Sequence, residues 1–298
     1  MAHGVRNIND QTLFATAQTR SVRQLDFTQF SDFNNYQTFT TNSASSGTEG
    51  AGFGTLASTG IGTSNSTSTA GFGGVTGPAS AISFTTTSAN NATDIASVNT
   101  QTSLVPGIPA PTAGLVTKYE FETRIRTAAT IHSDTVRGLF RFGFMDSTGM
   151  NAASNASTPD RGVFFSYVCD GTTTNTTWQL CWTNWTDAGT GEAFDTGVAV
   201  SASTTYRMYL AIEVDTAGVY TTTYKILNEN TGTKTEGTAT PTDLTTIPGE
   251  GTLLSMGGAV VNGKSGVTAT TTTVALYTDY MGVRIRRPIS REILLGSI

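Results

Sequence analysis

The sequence predicts an all-β protein whose larger part is a sandwich of two antiparallel sheets. Three observations lead there. In V-T-K-Y-E-F-E-T-R-I-R-T-A, Tyr119, Phe121, Thr123 and Ile125 alternate with Glu120, Glu122, Arg124 and Arg126. Successive strand side chains point to opposite faces, so this stretch has one face in a core and one in water. In R-G-L-F-R-F-G-F-M-D, Phe140, Phe142 and Phe144 repeat the pattern. Finally, only 13% of the 298 residues are charged, about half the usual share, and Thr, Ser, Gly and Asn fill the gap. That mixture favours strands joined by turns over long helices.

Residues 1–35 read as an arm carrying Arg6, Arg20 and Arg23 with scattered apolar residues. Leu25 and Phe27 fit an extended piece, whereas Phe27, Phe30 and Phe33 fit a turn of helix, and the spacing leaves both open. The arm has too few apolar residues to fold alone and enough to dock elsewhere. Residues 36–115 are a different material. No lysine or arginine lies between Arg23 and Lys118, and A-G-F-G occurs at Ala51–Gly54 and again at Ala70–Gly73. One reading is a low-complexity linker. The other is a set of short strands, since Phe53, Leu56, Ile61, Ile82, Phe84, Ile95 and Val98 recur singly among turn-formers. So little apolar material is ordered more easily against a host surface or neighbouring subunits. V-P-G-I-P-A-P at Val105–Pro111 marks a boundary, because proline blocks ladder bonds.

Residues 116–287 continue as strands. After the opening pair come G-V-F-F-S-Y-V (Gly162–Val168), T-W-Q-L-C-W-T-N-W (Thr177–Trp185) and T-Y-R-M-Y-L-A-I-E-V-D (Thr205–Asp215). In the last of these Tyr206, Met208, Leu210, Ile212 and Val214 alternate unbroken. V-Y-T-T-T-Y-K-I-L (Val219–Leu227), T-L-L-S-M-G-G-A-V-V (Thr252–Val261) and T-V-A-L-Y-T-D-Y-M-G-V-R-I-R-R (Thr273–Arg287) complete the set. Regular strands separated by Gly, Asn, Asp and Pro are the pattern of a two-sheet jelly roll. The tail, residues 288–298, places Ile293, Leu294, Leu295 and Ile298 behind the basic run Arg284, Arg286, Arg287 and Arg291. Such an end is either solvated or docked on an acidic neighbour.

Candidate chemistry is sparse. Glu120 and Glu122 share a strand face about 7 Å apart by strand rise, as do Glu213 and Asp215. Retaining glycosidases hold two carboxylates about 5–5.5 Å apart, and some jelly-roll glycosidases carry E-x-D followed by a third acid. Here T-A-G-V-Y follows Asp215, the third acid is missing, and both pairs read as solvated strand faces. The histidines, His3 and His132, match no zinc spacing, and D-S-T-G-M-N at Asp146–Asn151 reads as a turn. Neither a nucleophile elbow nor a phosphate loop is present. The expectation is no enzyme, no cofactor and no metal. Cys169 and Cys181 lie on or beside neighbouring strands, as buried thiols or a single bridge. Trp178 and Trp182 share a face and Trp185 takes the other. Core packing explains two of them, and a sugar-stacking platform is the alternative. A net charge of −5 argues against nucleic acid as the main partner, and no apolar run is long enough to cross a bilayer. The N-terminus shows no signal-peptide pattern, so synthesis in a cytoplasm is expected.

The order Y-E-F-E-T-R-I-R-T, L-F-R-F-G-F-M-D-S, D-R-G-V-F-F-S-Y, W-Q-L-C-W, Y-R-M-Y-L-A-I-E-V-D and L-Y-T-D-Y-M-G-V-R-I resembles concanavalin/laminin-G-like jelly-roll domains of tailed-bacteriophage virion proteins. The likeness covers residues 116–287, slightly over half the chain. It implies a virion location, other virion proteins as partners and a homo-oligomer, often a trimer. No catalytic residue carries over from it. Together with the arm, the low-complexity segment and the basic tail, it leads to the expectation of capsid decoration or cementing, with Arg6, Arg20, Arg23, Arg284, Arg286, Arg287 and Arg291 as assembly contacts. The alternative is a tail-fibre or adhesin module that holds host carbohydrate on Trp178, Trp182 or Trp185.

Overall fold

The computed structural model describes residues 23–32, 56–59, 82–85, 94–100, 105–106, 116–129, 131, 138–146, 161–169, 176–184, 191–248, 253–262 and 275–289. Fifteen strands lie among them. Five precede residue 116: β1 (Arg23–Asp32), β2 (Leu56–Thr59), β3 (Ile82–Thr85), β4 (Asp94–Thr100) and β5 (Val105–Pro106). The next five are β6 (Thr117–Thr127), β7 (Gly138–Met145), β8 (Arg161–Cys169), β9 (Thr177–Asn184) and β10 (Gly191–Ala199). The last are β11 (Thr205–Val214), β12 (Tyr220–Asn228), β13 (Thr233–Ala239), β14 (Leu253–Asn262) and β15 (Ala275–Ile289). Among the described residues the helical content is one 3-10 turn, Leu244–Thr246, so no helix is long and apolar enough to cross a membrane.

The strands form two antiparallel sheets. One has seven strands in the order β1-β15-β6-β11-β12-β13, with β3 also on β15. The other has eight in the order β10-β9-β8-β7-β14-β4-β2, with β5 also on β14. The protein is an all-β jelly-roll sandwich. Its sheets take strands from both sides of residue 116: β1 pairs with β15 along its whole length, and β4 lies against β14. The segment Arg23–Asp32, for which the sequence leaves strand and helix open, is strand.

The alternation seen in the sequence becomes the inter-sheet core. From the seven-stranded sheet, Tyr119, Phe121, Ile125, Met208, Leu210, Ile212 and Ile226 point inward. Phe140, Phe142, Phe144, Val163, Phe165, Tyr167, Trp178, Leu180 and Trp182 meet them from the other sheet. Rings cross the gap edge-on: Tyr119 and Phe121 each approach Phe144 at about 6 Å, and Trp178 meets Tyr206 at 5.8 Å. Edge-to-face pairs of this kind add about 0.5–1.5 kcal/mol beyond the area they bury. Two polar groups that enter the core find partners there, whereas Trp178 Nε1 is buried without a hydrogen-bond partner. The Tyr206 hydroxyl donates to the Ala199 carbonyl at 3.0 Å, and the Trp182 indole Nε1 donates to Thr222 Oγ1 at 3.0 Å, a bond from one sheet to the other.

The eight-stranded sheet is buried on its second face too. Arg141, Met145, Phe164, Ser166, Cys181, Thr183 and Ala259 lie on that side at 8% exposure or less. Gly143 makes the close strand approach there feasible. Its φ is +151°, and a Cβ at this position would stand 2.7 Å from both Phe164 Cα and the Val163 carbonyl oxygen. Burial lowers the Arg141 pKa to about 9, against the opposing fields of Cys181 and Asp146. Burial also pushes the Cys181 thiol up to about 12, so it is not a nucleophile at neutral pH. Cys181 is a free thiol opposite Phe164, five positions from Cys169 along β8, so no bridge joins the two cysteines.

Candidate functional site: the polar face of the seven-stranded sheet

The outward residues of β6 are Lys118, Glu120, Glu122, Arg124 and Arg126, a polar row down the centre of the seven-stranded sheet. The ladders set further polar residues on both flanks. On β11, Glu213 lies opposite Lys118, Tyr209 opposite Glu122 and Arg207 opposite Arg124. On β15, Arg286 lies opposite Lys118, Arg284 opposite Glu120 and Tyr280 opposite Arg124. Two flanking positions are small, Ala211 beside Glu120 and Gly282 beside Glu122.

The small positions let two tyrosines lean across the row. The Tyr209 hydroxyl donates to Glu120 Oε1 at 2.6 Å, and the Tyr280 hydroxyl donates to Glu122 Oε1 at 2.6 Å. Each reaches one step beyond its register partner, in the same direction along β6. Burial raises both phenol pKa values, and the bond to a carboxylate raises them further. Both tyrosines therefore remain neutral donors across the physiological range. The Lys225 ammonium stands 5.4 Å above the Tyr209 ring and covers its outer side.

Ion pairs hold the two ends of the row. Arg124 grips Glu229 in a forked contact at 3.0 and 2.7 Å and reaches Asp279 at 2.9 Å. Burial works against its charge, but the bonds and charges of Glu229 and Asp279 prevail and raise its pKa. Asp279 sits in a register slip of β15 between Thr278 and Tyr280, and a bulge of this kind re-aims a side chain. Arg207 joins Glu229 at 3.3 Å. At the other end Lys118 lies 3.5 Å from Glu120 and 3.8 Å from Glu213. The result is a rigid tract of hydrogen-bond donors and acceptors. It suits recognition better than proton transfer, because the tyrosines are locked as donors and Arg124 is committed to two carboxylates.

The residues singled out in the sequence are dispersed. Trp178 is fully buried and Trp182 is 2% exposed, so their indoles lie in the core and present no surface to a sugar. Trp185, Arg6, Arg20, Arg291, His3, His132 and Asn151 lie outside the described residues. Arg23 and Arg287 stand on the β1–β15 ladder, opposite Ile289 and Leu25. Of the basic residues, the structure brings Arg284 and Arg286 to the polar face. The two carboxylate pairs are occupied: Glu120 and Glu122 by the tyrosines, Glu213 by Lys118, and Asp215 by the Ala217 and Val219 amides of its turn, each at 2.8 Å. Among the described residues no group of three or more His, Cys, Asp or Glu side chains is placed to hold a metal ion. Tyr209, Tyr280, Glu229 and Asp279 are the residues that sequence reasoning missed. The available signal was Tyr209, an aromatic on the wet parity of an otherwise regular strand.

No protein-family model matches the sequence, and no curated protein matches it. Solved structures similar to the chain include the winged bean acidic lectin complexed with methyl-alpha-D-galactose, at 10% identity and TM-score 0.49, covering 88% of this chain and 100% of that one. A mutant alginate lyase in complex with alginate trisaccharide is 14% identical at TM-score 0.47, covering 88% and 98%. The CBM2 module of the Lactobacillus casei BL23 phage J-1 evolved Dit is 13% identical at TM-score 0.37, covering 64% and 70%.

Proposed function

We propose that the chain is a structural protein of a bacteriophage virion, made in the host cytoplasm, that decorates or cements the particle and contacts its neighbour through the polar face of the seven-stranded sheet. The observation that carries this is the network centred on Glu120, Glu122, Tyr209, Tyr280 and Arg124, whose side chains are already fixed by one another. A face whose rotamers are set before contact loses little entropy on binding. The sequence resemblance over residues 116–287 supports the virion setting, and Arg284 and Arg286 link the basic C-terminal run to this face. In this reading β1–β5 belong to the sandwich itself, and the parts of residues 1–115 and 288–298 outside the described strands supply further contacts along the particle.

A second reading, an adhesin for host-surface carbohydrate, is favoured by the residue types on the same face. Tyrosine hydroxyls, carboxylates and guanidinium groups are the donors and acceptors that order sugar hydroxyls. The site would lie at Tyr209, Tyr280 and Arg207, not at the buried Trp178 and Trp182. Reloading particles that lack the protein with wild type and with Arg284→Glu/Arg286→Glu tests the first reading. Loss of loading by the variant, with circular dichroism showing it folded, is expected; equal loading overturns it. A glycan array probed with wild type and Arg207→Ala tests the second, which fails if wild type binds nothing or if the variant binds equally.

A further inference from the structure

We propose that two copies of the chain join edge to edge through β13, making one continuous sheet across a two-fold axis. β13 is the last strand of the seven-stranded sheet. It pairs with β12 from Thr233 opposite Asn228 to Ala239 opposite Thr222 without a register slip. Among the described residues no strand lies on its other edge. Thr233, Lys234, Glu236 and Thr238 are exposed, and the strand contains neither proline nor bulge. An unpaired straight edge is a template for another strand.

The corresponding end of the other sheet is guarded. The β10–β9 register slips between Asp195 and Ala199, and Gly197 turns the strand with φ +70°. Glu192 of the same strand is tied down by the Thr242 and Asp243 amides. The contrast sets β13 apart from β10.

Charge identifies the occupant. A single lysine on an edge repels a second copy, because self-pairing near it sets like against like. Lys234 and Glu236 are two residues apart on one face and 2.7 Å from each other. Antiparallel self-pairing centred on Thr235 sets Lys234 opposite Glu236 of the partner subunit, twice per dimer, with the two Thr235 residues facing at the axis. Moving the axis by one residue along the strand, a register slip of two, sets lysine against lysine at Lys234 or glutamate against glutamate at Glu236, and a slip of one joins the inner face of one copy to the outer face of the other. The charges thus favour a second copy and select its register. Phe194 adds apolar surface near this edge. It is 37% exposed, with its ring 5.8 Å from Tyr224, and the Tyr224 hydroxyl lies against Gly237 of β13. A two-fold contact closes on itself and yields even-numbered assemblies, unlike the trimer implied by the resemblance.

Sedimentation equilibrium of the full chain across a dilution series tests this. A dimer of the 31.2 kDa chain is expected. Lys234→Glu and Glu236→Lys should each raise the dissociation constant by about tenfold or more. The double variant Lys234→Glu/Glu236→Lys should restore it, and circular dichroism should show all three folded. If one single variant fails to fold, the other with the double variant still decides. A monomer or trimer at every concentration overturns the proposal, as does a dimer insensitive to charge reversal or one that the double variant fails to restore.

Discussion

Replacing Tyr209 by Phe removes one hydroxyl and leaves the ring, its packing and the Lys225 contact in place. The lost bond runs to Glu120 Oε1 at 2.6 Å. Hydrogen bonds to charged groups contribute about 1.5–3 kcal/mol net. The Glu120 side chain is 17% exposed and keeps Lys118 at 3.5 Å, which places the loss near the lower end, about 1.5 kcal/mol. Its other oxygen, Oε2, is buried without a hydrogen-bond partner, so little compensation is at hand. At roughly 2–4 °C per kcal/mol for a domain somewhat smaller than this one, the thermal midpoint should fall by about 3–6 °C. A double-mutant cycle with Glu120→Gln, read by urea denaturation, should return a coupling energy of about 1 kcal/mol. The pH dependence gives a second, independent check. Folding raises the Tyr209 phenol pKa, so its stability share is complete below the unfolded tyrosine value of about 10 and is lost as pH rises through and beyond it. The advantage of wild type over Tyr209→Phe should therefore shrink in alkali. A stability difference under about 0.3 kcal/mol, or one that is constant through pH 11, would refute the reasoning.

Thr222→Val keeps the side-chain shape but leaves the Trp182 indole N–H buried and unpaired; it should cost about 1–3 kcal/mol in urea, followed by tryptophan fluorescence, and an unchanged midpoint would show that the bond between sheets contributes nothing. Burial of Glu192 works to raise its pKa, but the Thr242 and Asp243 amide bonds prevail and lower it. Its share of stability is present above the ordinary glutamate value of about 4.3 and disappears as pH falls through and below it, so Glu192→Gln should lower the thermal midpoint at pH 7 and converge with wild type in acid. Parallel melting curves at both pH values would count against that linkage.

How much of this was legible in the sequence depends on how many faces a strand buries. β6, β7 and β11 each bury one full face against aromatic partners, so Tyr119, Phe121, Phe140, Phe142, Phe144, Met208 and Leu210 announce both strand and orientation. β10 and β13 were not read as strands. They close the ends of their sheets, and G-E-A-F-D-T-G-V-A and T-K-T-E-G-T-A bury only Thr196 and Ala239 among their residues. A strand held mainly by main-chain bonds along one edge needs no apolar alternation and shows none. The bulge at Asp279 was equally silent, because it breaks parity without changing composition, and the Arg124 site depends on it. The tryptophans show a different limit. Shared parity of Trp178 and Trp182 was visible, but which face it occupied was decided by Tyr167, Phe140 and Tyr206, residues distant in sequence.

The polar face and the β13 edge belong to one sheet, and that has a consequence for either reading of function. Joining two copies through β13 aligns two polar rows on one continuous surface, with their β6 strands separated only by β11, β12 and β13 of each copy. A particle surface or a polysaccharide presents the same group many times. Two linked faces meet such a target with an effective concentration set by their fixed spacing, so a weak contact per face becomes a firm one in the pair. Lys234→Glu lies three strands from β6 and leaves the polar row intact. It should therefore weaken attachment to a repetitive surface far more than binding of a single soluble ligand. Equal weakening of both would mean that the edge acts through the fold of the face and not through the number of faces.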